Sequence, residues 1–240
     1  MAVLDPFHLH PNLADKIVDP ETSYFRDFHP SQVQDVLREN GAPETWVLTE
    51  DEREADRLAY LQGHAGDLWV FAYGSLMWDP ALKFAEVRRA YAPDHERRFI
   101  LKDKFGGRGT ADRPGLMAAL DTGNGCHGLA FRIPHELLDH ETGLLWRRER
   151  IGQAYHAHDI ALETQAGRLR ALAFVADYDA DPICPDLTRE QQVRFCATGK
   201  GFLGTSLEYV QNLATHLEIL QIEDTGVSGL LAAARDYSDC

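Results

Sequence analysis

Two glycine-containing turns between strand-like segments constrain the fold of this chain more than any other feature. The turns are residues 121–125 (DTGNG) and 165–167 (QAG), and the segments that flank them are 115–120, 126–133, 158–164 and 169–176. Short apolar segments separated by such turns are typical of β-hairpins. The sequence therefore predicts antiparallel pairing across each turn. A further buried strand is predicted from residue 68, and another over 98–101.

Helical patterns precede, interrupt and follow these strands. The predicted helices are 31–39 (with Ser31 as N-cap), 49–61, 134–150, 188–197, 205–221 and 227–235. Many antiparallel strands with interposed and appended helices indicate an α+β fold around a small barrel-like sheet. Residues 1–66 are rich in proline and contain two of the helices, so we interpret them as a partly helical N-terminal extension. The main domain is then 67–240.

Composition excludes several functional classes. The 240 residues carry a net charge of −14, which disfavours nucleic-acid partners and anionic membranes. The first thirty residues contain no unbroken apolar core, so no secretory signal is expected. Cysteines 126, 184, 196 and 240 have neither paired nor zinc-like spacing, which favours free thiols and the cytoplasm. A monomer is the default expectation.

The segment 67–78 (DLWVFAYGSLMW) predicts a buried strand that ends in a tight loop at Tyr73-Gly74-Ser75-Leu76. Glycine permits backbone conformations closed to other residues, so Gly74 is expected to turn the following N–H groups toward one point, with a positive φ. Such amides can bind a carboxylate or stabilise an oxyanion. The alternative is a core strand with an ordinary turn.

One acidic residue continues an apolar helical stripe. In the helix predicted over 134–150, Leu138, Leu145 and Glu149 follow one another at spacings of seven and four residues. Glu149 should therefore point inward, where burial would raise its pKa or a partner would neutralise it. The neighbouring arginines, Arg148 among them, are predicted to lie on other faces. The pattern leaves a catalytic acid and a structural ion-pair partner both open.

The loop 108–115 (RGTADRPG) carries two cations, Arg108 and Arg113. A guanidinium offers a bidentate fork to a carboxylate, so this loop could hold an acidic ligand. A solvated connection between two strands is the alternative.

An ordered set of motifs resembles the ChaC-like γ-glutamylcyclotransferase family. The motifs are WVFAYGSLMW (69–78), RRF (97–99), RGTADRPG (108–115), CHGLAFRIP (126–134), LLWRRER (144–150) and ATGKGFLGTSLEYVQNLATHLEILQIED (197–224). The resemblance runs from about residue 68 to the C-terminus. It implies a small mixed β-barrel with flanking helices, and a lyase of glutathione catabolism that splits glutathione into 5-oxoproline and Cys-Gly.

The resemblance also implies site residues. It maps the catalytic glutamate onto Glu149 and the substrate-binding loop onto Tyr73-Gly74-Ser75-Leu76, with Tyr209 as a further candidate. Two departures stand out: Ala72 replaces a usual glycine, and residues 150–155 (RIGQAY) are longer than the typical Gly-Gly-Tyr. Residues 1–66 lie outside the resemblance.

Ring closure by the substrate's own α-amine needs no nucleophilic residue, metal or cofactor, so none is expected. A base must deprotonate the α-amine, and one carboxylate with a raised pKa could then protonate the leaving amine. Two alternatives remain: the same chemistry on other γ-glutamyl amino acids or amines, and a non-catalytic small-molecule binder or regulator.

Overall fold

Five strands close into a small barrel in this computed structural model, which describes residues 5–238. The strands of the main sheet are β1 (Leu68–Ala72), β2 (Glu86–Ala92), β3 (His95–Asp103), β4 (Gly115–Thr122), β5 (Cys126–Ile133), β6 (Tyr155–Thr164) and β7 (Gly167–Ala176). The pairings β1–β5, β5–β2, β2–β6 and β6–β7 are antiparallel, and a parallel contact between β1 and β7 at Val70 and Leu172 completes the ring. The predicted α+β fold with a mixed β-barrel is confirmed.

The antiparallel pair β3–β4 lies outside the ring. β4 joins the barrel through a parallel contact with β7, at Leu120 and Val175. One edge of β7 is thus shared, by β1 near Leu172 and by β4 near Val175. The sheet therefore divides at this edge of β7, with β1 on one side of the division and β4 on the other.

Helices flank the barrel. The α-helices are α1 (Gln34–Glu39), α2 (Glu50–Leu61), α3 (Leu138–Glu149), α4 (Arg189–Thr198), α5 (Ser206–Ile219) and α6 (Thr225–Arg235). Short 3₁₀ helices are Pro11–Leu13, Pro20–Thr22, Tyr24–Arg26, Pro30–Val33, Glu44–Trp46, Ser75–Met77 and His135–Leu137, and a small ribbon pairs β8 (Lys200–Gly201) with β9 (Gly204–Thr205). No helix in the described part of the chain has the length and apolarity to cross a bilayer.

One predicted hairpin is confirmed and the other is wrong. β6 and β7 pair directly across the 165–167 turn, with Thr164 opposite Gly167. β4 and β5 do not pair, because β4 lies beside β3 and β7 whereas β5 lies between β1 and β2. The 121–125 turn instead bonds to the turn after β2, through Gly123 N to Asp94 O and Gly125 N to His95 O, both 3.0 Å. The glycine-containing sequence 121–125 correctly predicted a turn, but it did not predict which strands pair with β4 and β5.

Other differences from the sequence predictions are local. β2 was not predicted, and Ser31 is not an N-cap, because the helical turn begins at Pro30, whose fixed φ suits a first helical position. Thr49 is the N-cap of α2 and accepts a hydrogen bond from Glu52 N, so the helix begins one residue later than predicted. Cys126, Cys184 and Cys196 are free thiols, and Cys240 lies outside the described residues.

The barrel side chains form two apolar clusters. One draws on all five barrel strands and is filled largely by small residues such as Ala90, Ala130 and Ala171. The other packs the barrel against α3, α5 and α6, and it includes Leu13 and Ile17 from the N-terminal region. The division of the chain at residue 66 stays a prediction, and the N-terminal residues share this core.

Candidate active site

A cavity of about 640 Å³ opens where β1 and β4 part from β7. Two tyrosine hydroxyls bond to backbone groups at this divided edge. Tyr73 Oη donates to Phe174 O (2.7 Å), and Ala118 N donates to Tyr209 Oη (3.3 Å). All four residues line the cavity. The cavity thus lies where the sheet divides, and the two phenol hydroxyls provide hydrogen-bond partners for backbone groups at this edge.

The loop after β1 forms one wall of the cavity. Tyr73, Gly74, Ser75 and Leu76 all line it, and their role in binding a substrate stays a prediction. The first turn bond of the 3₁₀ helix runs from Met77 N to Gly74 O (2.9 Å). The preceding amides, of Ser75 and Leu76, are those that a helix start leaves without an intrahelical acceptor. They suit an anionic group or a developing oxyanion.

The predicted positive φ at Gly74 is wrong. Its φ is −132°, so a left-handed conformation does not explain the glycine. A Cβ at this position would lie 2.7 Å from Tyr209 Oη, closer than real Cβ atoms approach oxygen. Glycine is therefore required by the close approach of Tyr209 to the loop.

Gly74→Ala is expected to lower kcat/KM for glutathione, the substrate that the family resemblance implies, by about tenfold. The added methyl must displace the loop or the Tyr209 phenol. Tyr209→Phe in the same chain removes the colliding oxygen and should restore part of the loss. Gly143→Ala is the matched control, since a Cβ there meets nothing within 4 Å. Steady-state kinetics of all three variants test the contact. Equal kinetics for Gly74→Ala and the parent would contradict it.

Glu149 ends α3 and lines the same cavity as the loop. Its side chain is 14% exposed, so the predicted inward position is confirmed. Burial raises its pKa above the ordinary glutamic acid value, although the charge and hydrogen bond of Arg148 act in the opposite direction. The apolar stripe formed with Leu138 and Leu145, both buried in the core, accounts for this placement.

Arg148 does not point away from Glu149, contrary to the sequence prediction. Its Nε lies 3.0 Å from Glu149 Oε1, its Nη2 donates to Ser75 Oγ (3.0 Å), and its Nη1 donates to Asp79 O. A long side chain can fold back along its helix, and helical periodicity does not report this. Arg148 thus connects the carboxylate to the loop. Glu149 thus forms an ion pair and also has a raised pKa. The sequence left an ion-pair partner and a catalytic acid open as alternatives, and the structure has features of both.

Three phenols lie near the carboxylate: Tyr73 and Tyr209, which are buried, and Tyr155, which is half-buried. Burial raises the pKa of Tyr209 to about 12, and it raises the pKa values of Tyr73 and Tyr155 well above the ordinary tyrosine value. The charge of Glu149 adds to each of these upward shifts. All three phenols are therefore neutral near pH 7 and offer polar hydroxyls without competing for the proton. Tyr155, in the lengthened 150–155 segment, was not predicted as a site residue.

Arg108 brings a positive charge to the cavity, whereas Arg113, the other cation of its loop, is exposed. The buried carboxylate of Asp103 fixes the loop by accepting hydrogen bonds from the backbone N–H groups of Phe105 (3.0 Å) and Arg108. Arg108 Nη1 donates to Thr205 O (3.0 Å), and its guanidinium lies 5.3 Å from the ring centroid of Tyr209. Burial lowers the pKa of Arg108, but a guanidinium stays charged at neutral pH.

The nearby carboxylates of Glu208 and Asp103 act on the charge of Arg108 and partly offset the effect of burial on its pKa. Within residues 5–238, no group of three or more His, Cys, Asp or Glu side chains is arranged to hold a metal ion.

Sequence reasoning missed the contribution of the N-terminal region. Tyr24, Phe25 and Trp46 line the cavity together with residues of the main domain. No motif signalled this, because the contacts join residues far apart in the chain.

Comparison with known proteins identifies the family. The family model described as ChaC-like protein matches residues 68–237. The chain is 36% identical over 205 residues to a glutathione-specific γ-glutamylcyclotransferase of Escherichia coli K12, covering 81% of this chain and 86% of that protein. It is 26% identical over 213 residues to human glutathione-specific γ-glutamylcyclotransferase 1, covering 85% and 94%.

A solved structure shares the fold. The crystal structure of a yeast γ-glutamylcyclotransferase specific to glutathione superposes with a TM-score of 0.65 at 19% identity, covering 72% of this chain and 97% of that one. The family model covers well over half of the chain, and the E. coli relative matches it over most of both lengths. The chain therefore belongs to the ChaC-like protein family.

Proposed function

We propose that this chain is a γ-glutamylcyclotransferase that converts glutathione into 5-oxoproline and Cys-Gly, with Glu149 as general acid and base. One observation carries the proposal: a carboxylate with a raised pKa lines the same cavity as the Tyr73–Leu76 loop. The names of the E. coli and human relatives support the same activity and substrate.

The reaction begins with deprotonation of the substrate. The α-amine of a γ-glutamyl group has a pKa near 8 and is largely protonated at neutral pH. Glu149 takes one proton from this ammonium group, and the freed amine attacks its own γ-carbonyl carbon. A C–N bond forms, the carbonyl oxygen becomes an oxyanion, and a five-membered ring closes. Holding the chain folded back makes this attack intramolecular, which can supply effective molarities of about 10⁵–10⁸ M.

The second step expels the leaving amine. After ring closure the ring nitrogen still carries one proton too many. Glu149 gives its first proton to the cysteine nitrogen, and the bond between the γ-carbon and this nitrogen breaks as the carbonyl re-forms. Glu149 then takes the second proton from the ring nitrogen and passes it to the free amine of Cys-Gly. The products are 5-oxoproline and Cys-Gly, and the carboxylate is regenerated without consumption of water. A buried acid with a raised pKa suits both transfers, because the upward shift makes its carboxylate a stronger base toward the ammonium group.

Polar groups around the carboxylate suit the charges of the substrate. The amides of Ser75 and Leu76 are proposed to bind the α-carboxylate or the oxyanion, and Arg108 is proposed to bind a substrate carboxylate. Tyr73 and Tyr209 are proposed to shape the site, since their hydroxyls already bond to the backbone.

Incubation with glutathione, γ-Glu-Ala and γ-glutamyl-ε-lysine, with assay of 5-oxoproline, tests the function. Rapid product formation from glutathione is expected. Turnover of the other two compounds alone would reassign the substrate to γ-glutamyl amino acids or amines. No product from any of them would favour a small-molecule binder or regulator.

We also propose that the protein acts in the cytoplasm as a monomer, without nucleic-acid or membrane partners. The free thiols of Cys126, Cys184 and Cys196 and the net charge of −14 support this setting. Gel filtration with light scattering checks the monomer.

A further inference from the structure

An apolar wall from the N-terminal region completes the cavity. Residues of four short helical segments contribute to it: Tyr24, Phe25, Val33, Leu37 and Trp46. All five are aromatic or aliphatic, whereas the groups around Glu149 are hydroxyls, amides and guanidinium groups. The cavity therefore has surfaces of two chemical kinds, and the N-terminal region supplies only the apolar kind.

Phe25 lies one side chain away from the proposed catalytic group. Its ring centroid is 4.0 Å from the guanidinium carbon of Arg148, whose Nε is 3.0 Å from Glu149 Oε1. Arg148 also bonds to Ser75 of the loop (3.0 Å). Arg148 alone thus lies between the ring of Phe25 and both the carboxylate and the loop. The wall is therefore within reach of a substrate whose scissile amide is held at Glu149.

Trp46 covers the segment that follows Glu149. A Cβ on Gly152 would lie 2.5 Å from the indole, and Leu48 N donates to Ile151 O (3.0 Å). The indole also packs against Phe105 of the Arg108 loop, with ring centroids 4.9 Å apart. The lengthened 150–155 segment is therefore bound to the N-terminal region, and both help to form the cavity.

Charge indicates which part of the substrate this wall fits. The γ-glutamyl half carries an ammonium group and a carboxylate, and the terminal glycine of glutathione carries a second carboxylate. Burying these charges against apolar side chains without polar partners is strongly unfavourable. The side chain of the residue after the scissile amide is, in glutathione, a small CH₂–SH group. Thiols are weak hydrogen-bonding groups that pack well against aromatic rings.

We propose that residues 24–46 form the subsite for the leaving-group half of the substrate and select an apolar or thiol side chain at the residue after the scissile amide. This inference rests on the proposed cyclotransferase function. It assigns a role to the N-terminal region: Phe25 and Trp46 are specificity-determining residues, and Glu149 performs the proton transfers.

A matched pair of substrates tests the subsite. Glutathione (γ-Glu-Cys-Gly) and γ-Glu-Gly-Gly differ only in the CH₂–SH group, and kcat/KM is measured for each. The parent is expected to favour glutathione by about tenfold or more, since one small group in an apolar pocket is worth about 10–200-fold. Phe25→Ala and Trp46→Ala should lower that ratio toward one. The ratio cancels any effect on Glu149 that is common to both substrates.

Phe28→Leu is the matched control, because Phe28 is buried in the same N-terminal cluster but does not line the cavity. It should keep the parent ratio even if it lowers the thermal unfolding midpoint. Phe25→Leu, which keeps most of the apolar volume, serves if an alanine variant does not fold. A parent ratio of one, or an unchanged ratio in the Phe25 and Trp46 variants, overturns the subsite. No 5-oxoproline from either substrate with the parent overturns the function itself.

Discussion

Glu149→Gln is expected to lower kcat for 5-oxoproline formation from glutathione by about 10²–10⁴-fold, the usual contribution of a positioned acid–base group. Glutamine keeps the shape of the side chain and can still hydrogen-bond, but it cannot take a proton from the α-ammonium group. Binding of glutathione, measured by calorimetry, should stay within a few-fold of the parent. Glu136→Gln, at an exposed glutamate just before α3, should leave turnover unchanged. Parent-like kcat in the Glu149 variant would refute the assignment.

The parent enzyme should also show an acid limb in its pH profile. Only the carboxylate form of Glu149 accepts a proton, so kcat/KM falls as the pH drops through the pKa of this group. Burial raises that pKa, so the limb should lie above the ordinary glutamic acid value of about 4.3. The residual activity of Glu149→Gln should lack this limb.

Unfolding of the Glu149→Gln variant separates loss of chemistry from loss of structure. Because the folded pKa is raised, the folded state holds this proton more tightly than the unfolded chain does. The associated stabilisation is present at low pH and is lost as the pH rises through the folded pKa. Removing the ionised group should therefore leave the unfolding midpoint at pH 7 equal to or above that of the parent, as at other sites where function costs stability.

The sequence predicted best those features that depend on local periodicity. Glu149 faces the cavity because it continues the stripe of Leu138 and Leu145, and the 165–167 turn joins two strands that pair directly. β2 (Glu86–Ala92) escaped prediction because its charged residues interrupt the apolar pattern. In the structure Arg88 bonds to Glu86 and lies 4.5 Å from the Trp69 ring, so these charges have partners on the barrel.

Features that depend on distant residues were not predictable from local pattern. The need for glycine at position 74 comes from the Tyr209 hydroxyl on α5, not from the backbone conformation of the loop. The pairing partners of β4 and β5 depend on barrel closure rather than on the turn between them. The apolar wall of Tyr24, Phe25 and Trp46 depends on how the N-terminal region docks, and a buried ion pair between Arg26 and Glu141 is one of the contacts that hold it.

Arg26→Met is expected to lower the free energy of unfolding by about 3–5 kcal/mol, the usual cost of leaving one member of a buried ion pair without its partner. Two hydrogen bonds, of 2.6 and 2.9 Å, join the Arg26 guanidinium to Glu141, whose side chain is fully buried on α3. Arg26 also donates to Ala81 O (3.0 Å), and Lys83 N donates to Glu141 (2.9 Å). Urea unfolding followed by tryptophan fluorescence measures the loss.

A double variant separates two contributions to this loss: the lost attraction between Arg26 and Glu141, and the cost of a buried carboxylate without its partner. Arg26→Met leaves the Glu141 carboxylate buried without its partner, whereas Arg26→Met with Glu141→Met removes both charges and should recover much of the lost stability. Since Phe25 precedes Arg26, loss of this anchor should also raise KM for glutathione in the single variant. Surface pairs such as Arg38–Asp35, 2.7 Å apart on exposed α1 positions, should contribute less than about 1 kcal/mol. If Arg26→Met costs no more than Arg38→Met, the N-terminal wall is anchored by its apolar contacts instead.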